Sequence, residues 1–176
     1  MSTVAPPARS SPLTGLAPLV CSQTRLLILG SFPGSASLQA RQYYGHSKNQ
    51  FWPILQAIWP RSLIDTGANS YQKRSEWLLE KRLGLWDVYA ACSREGSLDS
   101  NIRHAVLNDF SLLAKSCPDL RAVAHNGAES FRQAKHTGQH ALPAYCLPST
   151  SPANAGWRFE RKLAAWREVF EKEGLT

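Results

Sequence analysis

The chain has no long apolar run and no closely paired cysteines. No stretch is long and apolar enough to cross a bilayer, and none has the charged start, apolar run and cleavage site of a secretory signal. The four cysteines, Cys21, Cys92, Cys117 and Cys146, are irregularly spaced and form no CxxC pair. We therefore expect a cytoplasmic protein, in a bacterial-type cytosol or nucleoid, with reduced thiols, no metal and no membrane contact.

Charged residues are also few, at 19% of the 176 residues, while hydrophobic residues make up 43%. This composition excludes a disordered chain, a collagen and a coiled coil, and predicts one domain with an ordinary core. Residues 1–22 are rich in Pro, Ser and Ala, so we expect a flexible lead-in followed by a single domain over 23–176. The net charge of +7 favours polyanionic partners such as nucleic acid.

Short apolar segments alternate with segments of helical periodicity. Strands are predicted over 25–30, 85–91, 121–125 and 144–147, and helices over 51–59, 71–83, 101–114, 127–135 and 157–172. Alternating strands and helices are typical of parallel pairing with right-handed crossovers. The pattern therefore predicts a three-layer α/β/α sandwich around a central, mainly parallel four-stranded sheet.

Each predicted strand is followed by small or polar residues: GSFPG, CSRE, HNG and PSTSPAN. The carboxyl ends of parallel strands meet at one edge of a sheet, so these segments are expected to surround one crevice. GSFPG is neither a phosphate-binding Walker loop nor a GxGxxG dinucleotide fingerprint, and no cofactor is expected. Taken singly, each segment is also explained as an ordinary turn.

Three motifs, GSFPG at 30–34, YYGHSKNQFW at 43–52 and LPSTSPAN at 147–154, together carry a resemblance. In content and order they resemble the uracil-DNA glycosylase superfamily, most closely its hypoxanthine-DNA (deoxyinosine) glycosylase family, over residues 25–170. The resemblance implies a monomeric, monofunctional DNA repair glycosylase acting on damaged double-stranded DNA, with single-stranded DNA left open. Such an enzyme flips out a deaminated base, here hypoxanthine, and hydrolyses its N-glycosidic bond to leave an abasic site.

Two alternatives stay open: a uracil or mismatch-uracil DNA glycosylase, and a catalytically silent DNA-binding module of the same fold. Both arise because the chain departs from the pattern of better-known relatives. Phe32 stands where those relatives have Asp or Asn, and Leu147 stands where they often have His. Loss of a donor at Leu147 favours a purine over uracil as the departing base.

With Phe32 unable to hold water, the resemblance points to Asn49 as the catalytic amide. Cleavage of a glycosidic bond passes through an oxocarbenium-like state, which needs a weakly nucleophilic water held in line. Asn49 also precedes the predicted helix at 51–59, where Asn is a favoured cap. Both roles remain open from the sequence.

The remaining candidates form two groups. The base pocket is expected to contain Gly30, Ser31, Phe32, Pro33, Gly34, Tyr44, His46, Phe51 and Ser93, with Phe32, Tyr44 and Phe51 as its aromatic wall. DNA contacts are expected from Arg94, His125, Asn126, Gly127, Pro148, Ser149, Thr150, Ser151, Pro152 and Asn154. Arg94 is alternatively a solvated surface charge, and His125 a buried, hydrogen-bonded histidine. Arg158, Arg161 and Lys162 of the last helix either assist DNA binding or belong to a packing helix.

Overall fold

A computed structural model describes residues 11–65, 67, 70–137 and 142–176. Within these ranges the strands are β1 Leu13–Thr14, β2 Leu26–Gly30, β3 Leu83–Asp87, β4 Tyr89–Ser93, β5 Arg103–Leu107, β6 Ala122–Asn126 and β7 Ala144–Leu147. The helices are α1 Ser35–Ala40, α2 Phe51–Ile58, α3 Tyr71–Glu80, α4 Leu113–Ser116, α5 Ala128–Phe131, α6 Ala134–Thr137 and α7 Phe159–Lys172. Single 3-10 turns occupy Asp99–Asn101 and Phe110–Leu112.

The centre of the protein is a four-stranded sheet in the order β3-β2-β6-β7, in which every neighbouring pair is parallel. Strands β2, β3 and β6 are buried along their whole length, as expected of apolar strands covered on both faces. Helices α2, α3 and α7 pack on one face, and the turn at 110–112 with α4 packs on the other. The predicted three-layer α/β/α sandwich is confirmed.

The segment predicted as one strand over 85–91 is two strands in two different sheets. β3 ends at Asp87, and the chain then turns so that β4 joins an antiparallel sheet in the order β1-β4-β5. The turn is held by the carbonyl oxygens of Gly30 and Ser31, which accept from Val88 N at 2.9 Å and Tyr89 N at 3.1 Å. The parallel sheet therefore ends at Asp87 rather than at residue 91.

The predicted helix over 101–114 is also wrong. Arg103–Leu107 is strand β5, followed by the 3-10 turn and the short helix α4. All five side chains of β5 are exposed, and its backbone pairs with β4. The helical spacing of apolar residues was therefore coincidental, because the unpaired edge of β4 determines the backbone conformation of this segment.

Part of the expected lead-in pairs with the domain from residue 13 onward. Leu13 and Thr14 pair with Cys92 and Ala91, and Leu19 exchanges two hydrogen bonds of 2.9 Å with Leu85. Residues 1–10 lie outside the described part of the chain. The predicted helix at 127–135 consists of α5 and α6. None of the helices in the described ranges is both long and apolar enough to span a bilayer.

Candidate active site

One cavity of about 650 Å³ opens at the carboxyl ends of the parallel strands. Gly30 ends β2, Asp87 ends β3, Asn126 ends β6, and residues 149–154 follow β7. Residues 31–37, 43–44, 46, 49, 97–100 and 127–129 complete the lining. Three of the four predicted segments therefore meet at this cavity, whereas CSRE follows β4 of the antiparallel sheet and lines a separate depression. The cavity volume lies within the range of about 300–1,000 Å³ typical of small-ligand sites.

The first loop, residues 30–34, is held in place by Arg94. The guanidinium donates to the carbonyl oxygens of Pro33 and Phe32 and, at 3.1 Å, of Gly96, and it lies 5.1 Å from the Phe32 ring centroid. Arg94 is 6% exposed. The expected contact of Arg94 with DNA is thus replaced by a structural role, since the side chain is buried and each of its three nitrogen atoms donates to a main-chain carbonyl.

We expect Arg94→Gln to destabilise the protein by about 1–3 kcal/mol, because it leaves buried carbonyl oxygens without donors. We expect the salt dependence of DNA binding to stay as in the wild type. If Arg94 did contact a phosphate, its loss would reduce the slope of log affinity against log salt concentration by about 0.9. Urea denaturation and DNA titrations at several salt concentrations measure the two quantities. Arg121→Gln, an exposed change just before β6, is the matched control. A smaller salt slope with unchanged stability would restore the phosphate role.

The aromatic wall has two members at the cavity and one behind it. Phe32 and Tyr44 line the cavity. Phe51 is fully buried in α2, and its ring stacks on the Tyr44 ring with centroids 3.9 Å apart and planes inclined by 23°. Phe51 therefore supports Tyr44 from the core instead of facing a ligand. Tyr44 itself has a φ of 54°, a strained value for a bulky residue that its surroundings must impose.

Asn49 is at the rim of the cavity, and its carboxamide is fixed by the backbone. Its Oδ1 accepts from Phe51 N at 2.9 Å, and its own N–H donates to the His46 carbonyl at 2.9 Å. The residue is half-buried and lines the cavity. Gln50 occupies the N-cap position of α2, and the Asn49 side chain satisfies the backbone N–H of the first helical residue, Phe51, much as a cap does. The same contact fixes the amide beside the cavity, and its catalytic role stays a prediction.

His46 is exposed at the mouth of the cavity. Its Nδ1 is 3.1 Å from the backbone N of Lys48 and accepts that hydrogen bond. The ring therefore presents Nε2, and not Nδ1, to an incoming ligand.

The late loop after β7 is fastened to the end of β6 by one side chain. The Asn126 carboxamide accepts from Thr150 N and donates to Thr150 Oγ1, both at 2.9 Å. Gly127 turns the chain into α5 with a φ of 109°, and a Cβ atom there would lie 3.1 Å from Ser149 Cβ. Only glycine meets both conditions without strain. Asn154 closes the loop by donating to the Ser149 carbonyl at 3.0 Å.

Besides Phe51 and Arg94, further predicted residues do not line the cavity: Ser93, His125, Pro148, Arg158, Arg161 and Lys162. His125 is fully buried between Ser130 Oγ at 2.8 Å and Thr137 Oγ1 at 3.1 Å, so its side chain has no surface that reaches DNA. Ser93 borders a separate shallow depression. The Pro148 carbonyl accepts from Trp166 Nε1 in the core. Lys162 is 2% exposed and donates to Gln50 Oε1 at 2.8 Å, so it braces α7 against α2.

Three acidic residues of the cavity were missed by the sequence analysis: Asp87, Asp99 and Glu129. Among the described lining residues none is Lys or Arg. Asp99 Oδ1 accepts from Ser31 Oγ at 2.6 Å, and burial raises the pKa of Asp99. An aspartate inside the apolar run LGLWDV was the available signal for Asp87, because a carboxyl there must be buried. No group of three or more metal-binding side chains is found in the described ranges.

Comparison with known proteins agrees with this architecture. The family model of the uracil DNA glycosylase superfamily matches residues 17–170. The chain therefore belongs to the uracil DNA glycosylase superfamily. It is a DNA glycosylase, an enzyme that hydrolyses the N-glycosyl bond between a base and deoxyribose in DNA.

Two curated relatives are named hypoxanthine DNA glycosylase. The protein of Methanosarcina barkeri is 37% identical over 158 residues, which cover 90% of this chain and 98% of the relative. The protein of Methanosarcina acetivorans is 36% identical over 156 residues, covering 89% and 96%. The solution NMR structure of a candidate uracil DNA glycosylase from Methanosarcina acetivorans superposes with a TM-score of 0.80 at 34% identity, covering 93% and 99%.

Proposed function

We propose that the enzyme removes hypoxanthine from deoxyinosine in duplex DNA, by flipping the damaged nucleotide into the cavity of about 650 Å³. The observation that carries this proposal is the composition of the site: one cavity whose lining includes the aromatic residues Phe32, Tyr43 and Tyr44, several polar side chains, and the amide of Asn49. A flipped base loses its stacking partners and regains contact on aromatic side chains, worth about 1–3 kcal/mol per base. Phe32 and Tyr44 offer that contact.

Asn49 is proposed to hold the water that attacks the sugar. Its Oδ1 keeps a second lone pair beyond the one used by Phe51 N, and that lone pair can accept from a water molecule. Water then adds to the anomeric carbon as the base departs, and the transition state carries positive charge on the sugar. Asp99 and Glu129 in the lining favour such a charge electrostatically when they are ionised, although Glu129 also forms an ion pair of 2.9 Å with Arg132.

Two features favour a purine. Leu147 is 3% exposed and apolar, so the strand that precedes the late loop supplies no side-chain donor to a departing uracil. The two curated relatives named above are hypoxanthine DNA glycosylases. The candidate uracil DNA glycosylase among the solved structures makes uracil the second substrate to test.

The test uses duplexes that carry one deoxyinosine, deoxyuridine or deoxyxanthosine, together with the corresponding single strands. We expect free hypoxanthine and an alkali-labile abasic site from the deoxyinosine duplex, with a single-turnover rate above that for the other two bases. Faster release of uracil would assign the enzyme to uracil repair. Binding without release of any base would identify a silent DNA-binding module and reject the proposal.

A further inference from the structure

Asp87 is a buried carboxyl group at the cavity that neither the fold nor the proposed water-holding step uses. It ends β3, lines the cavity and is 5% exposed. Its Oδ2 has no hydrogen-bond partner among the described residues. A buried polar atom left without a partner costs about 1–3 kcal/mol, so its retention at a ligand cavity calls for a functional reason.

The neighbouring strand makes room for this carboxyl group. A Cβ atom at Gly30 would collide with Asp87 Oδ1 and lie 3.7 Å from Tyr44 Oη. Tyr44 Oη is also buried and makes no hydrogen bond of standard geometry among the described residues, although the Asn126 side chain interacts with it and lowers its pKa against the larger effect of burial. Gly30, Asp87 and Tyr44 thus form a polar floor. At the mouth of the same cavity, by contrast, His46 and Pro152 are exposed.

The depth of these groups indicates which part of a flipped nucleotide they meet. The sugar of a flipped nucleotide stays attached to the DNA backbone and therefore remains near the mouth, while the base is the part that goes deepest. Asn49, half-buried at the rim, is on the sugar side. Asp87, at the floor, is on the side of the base edge farthest from the glycosidic bond.

No cation in the described surroundings forms an ion pair with Asp87. The positive charge of Arg94 favours the ionised form of Asp87 electrostatically, but the Arg94 side chain donates to main-chain carbonyls and not to this carboxyl group, and its effect on the pKa is smaller than that of burial. Burial, followed by repulsion from Asp99, raises the pKa of Asp87 to about 7. A bound base displaces water from the cavity and raises that pKa further, because desolvation disfavours the charged form.

We infer that Asp87 binds the Watson–Crick edge of the flipped base as a neutral carboxylic acid. This inference rests on the proposed function and names the residue that contacts the base. The acid donates its O–H to the ring carbonyl oxygen O6 of hypoxanthine and accepts from the adjacent N1–H. A carboxylic acid and a cyclic amide are complementary in this way, with one donor and one acceptor on each side.

The same contact assists departure of the base. The C1′–N9 bond breaks with both electrons passing to the base, the hydroxyl of water bonds to C1′, and the proton of that water ends on the base. Negative charge develops on the purine during this step and is shared by O6. The hydrogen bond from Asp87 to O6 therefore strengthens in the transition state, and Asp87 keeps its proton throughout.

Two variants of similar size separate this role from a structural one. Asp87→Leu removes both hydrogen-bonding atoms but relieves a buried unpartnered oxygen, so we expect a folded protein whose single-turnover rate falls roughly 100-fold. Asp87→Asn keeps a donor and an acceptor and should stay within about tenfold of the wild-type rate. Asp109→Asn, an exposed carboxylate that caps the turn at 110–112, is the matched control with no expected change.

The pH dependence of the single-turnover rate tests the proposed role, because a purely structural role of Asp87 would leave that dependence unchanged. Between pH 6 and 8 the wild-type rate should fall at or above about pH 7, as the acid ionises, and the Asp87→Asn rate should stay level. The titratable and charged groups interacting with Asp87 from neighbouring elements are Tyr43 and Tyr44 before α2, Arg94 after β4 and Asp99 in the 3-10 turn. His46 and Glu129 also line the cavity. A slope that persists in Asp87→Asn belongs to one of these groups and overturns the inference.

Binding of an uncleavable duplex containing 2′-fluoro-deoxyinosine separates this inference from the proposed function. Asp87→Leu should lose most of the preference for this duplex over undamaged DNA. If the wild type releases no base but shows that preference through Asp87, the proposed function fails and the inference stands. Wild-type turnover with unchanged rates in both Asp87 variants overturns the inference alone. A rate that rises with pH through about 7 in the wild type overturns it as well, since it assigns activity to the carboxylate.

Discussion

Replacement of Asn49 by Ala is expected to slow base release roughly 100- to 1,000-fold while the affinity for lesion-containing DNA changes only a few-fold. The amide is proposed to hold water at the rim of the cavity, so its loss acts on the transition state and not on DNA binding. Loss of one preorganised group of this kind costs about 10²–10³ in rate. Single-turnover kinetics and binding to an uncleavable duplex measure the two effects separately.

Asn49→Ser distinguishes this role from helix capping. Asn49 Oδ1 accepts from Phe51 N at 2.9 Å, and Ser is about as good a cap as Asn. Ser is too short, however, to reach a water molecule with the same geometry. We therefore expect Asn49→Ser to keep the melting temperature of the wild type but to be nearly as slow as Asn49→Ala, which loses about 1 kcal/mol of stability with the cap.

The opposite pattern would support capping alone. In that case Asn49→Ser would recover both the rate and the melting temperature. His46→Ala tests whether the neighbouring side chain positions the water instead, because His46 is exposed and its loss leaves the helix cap intact. A loss of rate as large in His46→Ala as in Asn49→Ala would reject the assignment to the amide.

The second large effect expected is on the pH dependence of stability, where Asp87 and His125 act in opposite directions. Burial lowers the pKa of His125 to about 4 from an ordinary 6.5, so the unfolded chain binds more protons between these values. The free energy of unfolding therefore rises with pH from about 4 to 6.5. The pKa of Asp87 is raised from 3.8 to about 7, so the folded protein binds more protons there, and stability falls with rising pH.

Each group contributes a slope of about 1.4 kcal/mol per pH unit at full effect, and the two nearly cancel in the wild type. The free energy of unfolding of Asp87→Asn should therefore increase as the pH rises from 4.5 to 6.5. At pH 7.5 it should exceed that of the wild type by about a few kcal/mol. The free energy of unfolding of His125→Gln should decrease as the pH rises over the same range, because only the slope from Asp87 remains. Urea denaturation at half-unit intervals of pH measures these slopes, with Asp109→Asn as the control. Parallel curves for the wild type and Asp87→Asn would refute the raised pKa of Asp87.

These opposing slopes follow from how the two residues are buried. His125 is satisfied by Ser130 and Thr137 in its neutral form and is part of the core. Asp87 has an oxygen without a partner at a cavity, so it reduces stability at neutral pH. Residues that lower stability in this way are common at functional sites, where the surroundings serve a ligand.

The sequence by itself determined the sheet and the strand ends that border the cavity. Continuous apolar runs such as Leu26–Gly30 are buried on both faces, and such runs have few alternatives to a central parallel strand. Parallel strands place their carboxyl ends at one edge, so the convergence of the loops at 30–34 and 149–154 follows from the strand pattern alone. The three motifs also led to the superfamily that the family model matches.

Only the tertiary structure decided which polar side chains face the cavity. Arg94 and His125 have polar side chains that are nevertheless buried, because nearby carbonyl and hydroxyl groups satisfy their hydrogen-bonding atoms. Asp87 was hidden in an apolar run because the end of β3 depends on Gly30 and Ser31, which accept from the chain as it turns away. Hydrogen bonds between residues far apart in sequence fix the orientations of these side chains, and the periodicity of the sequence does not predict such hydrogen bonds.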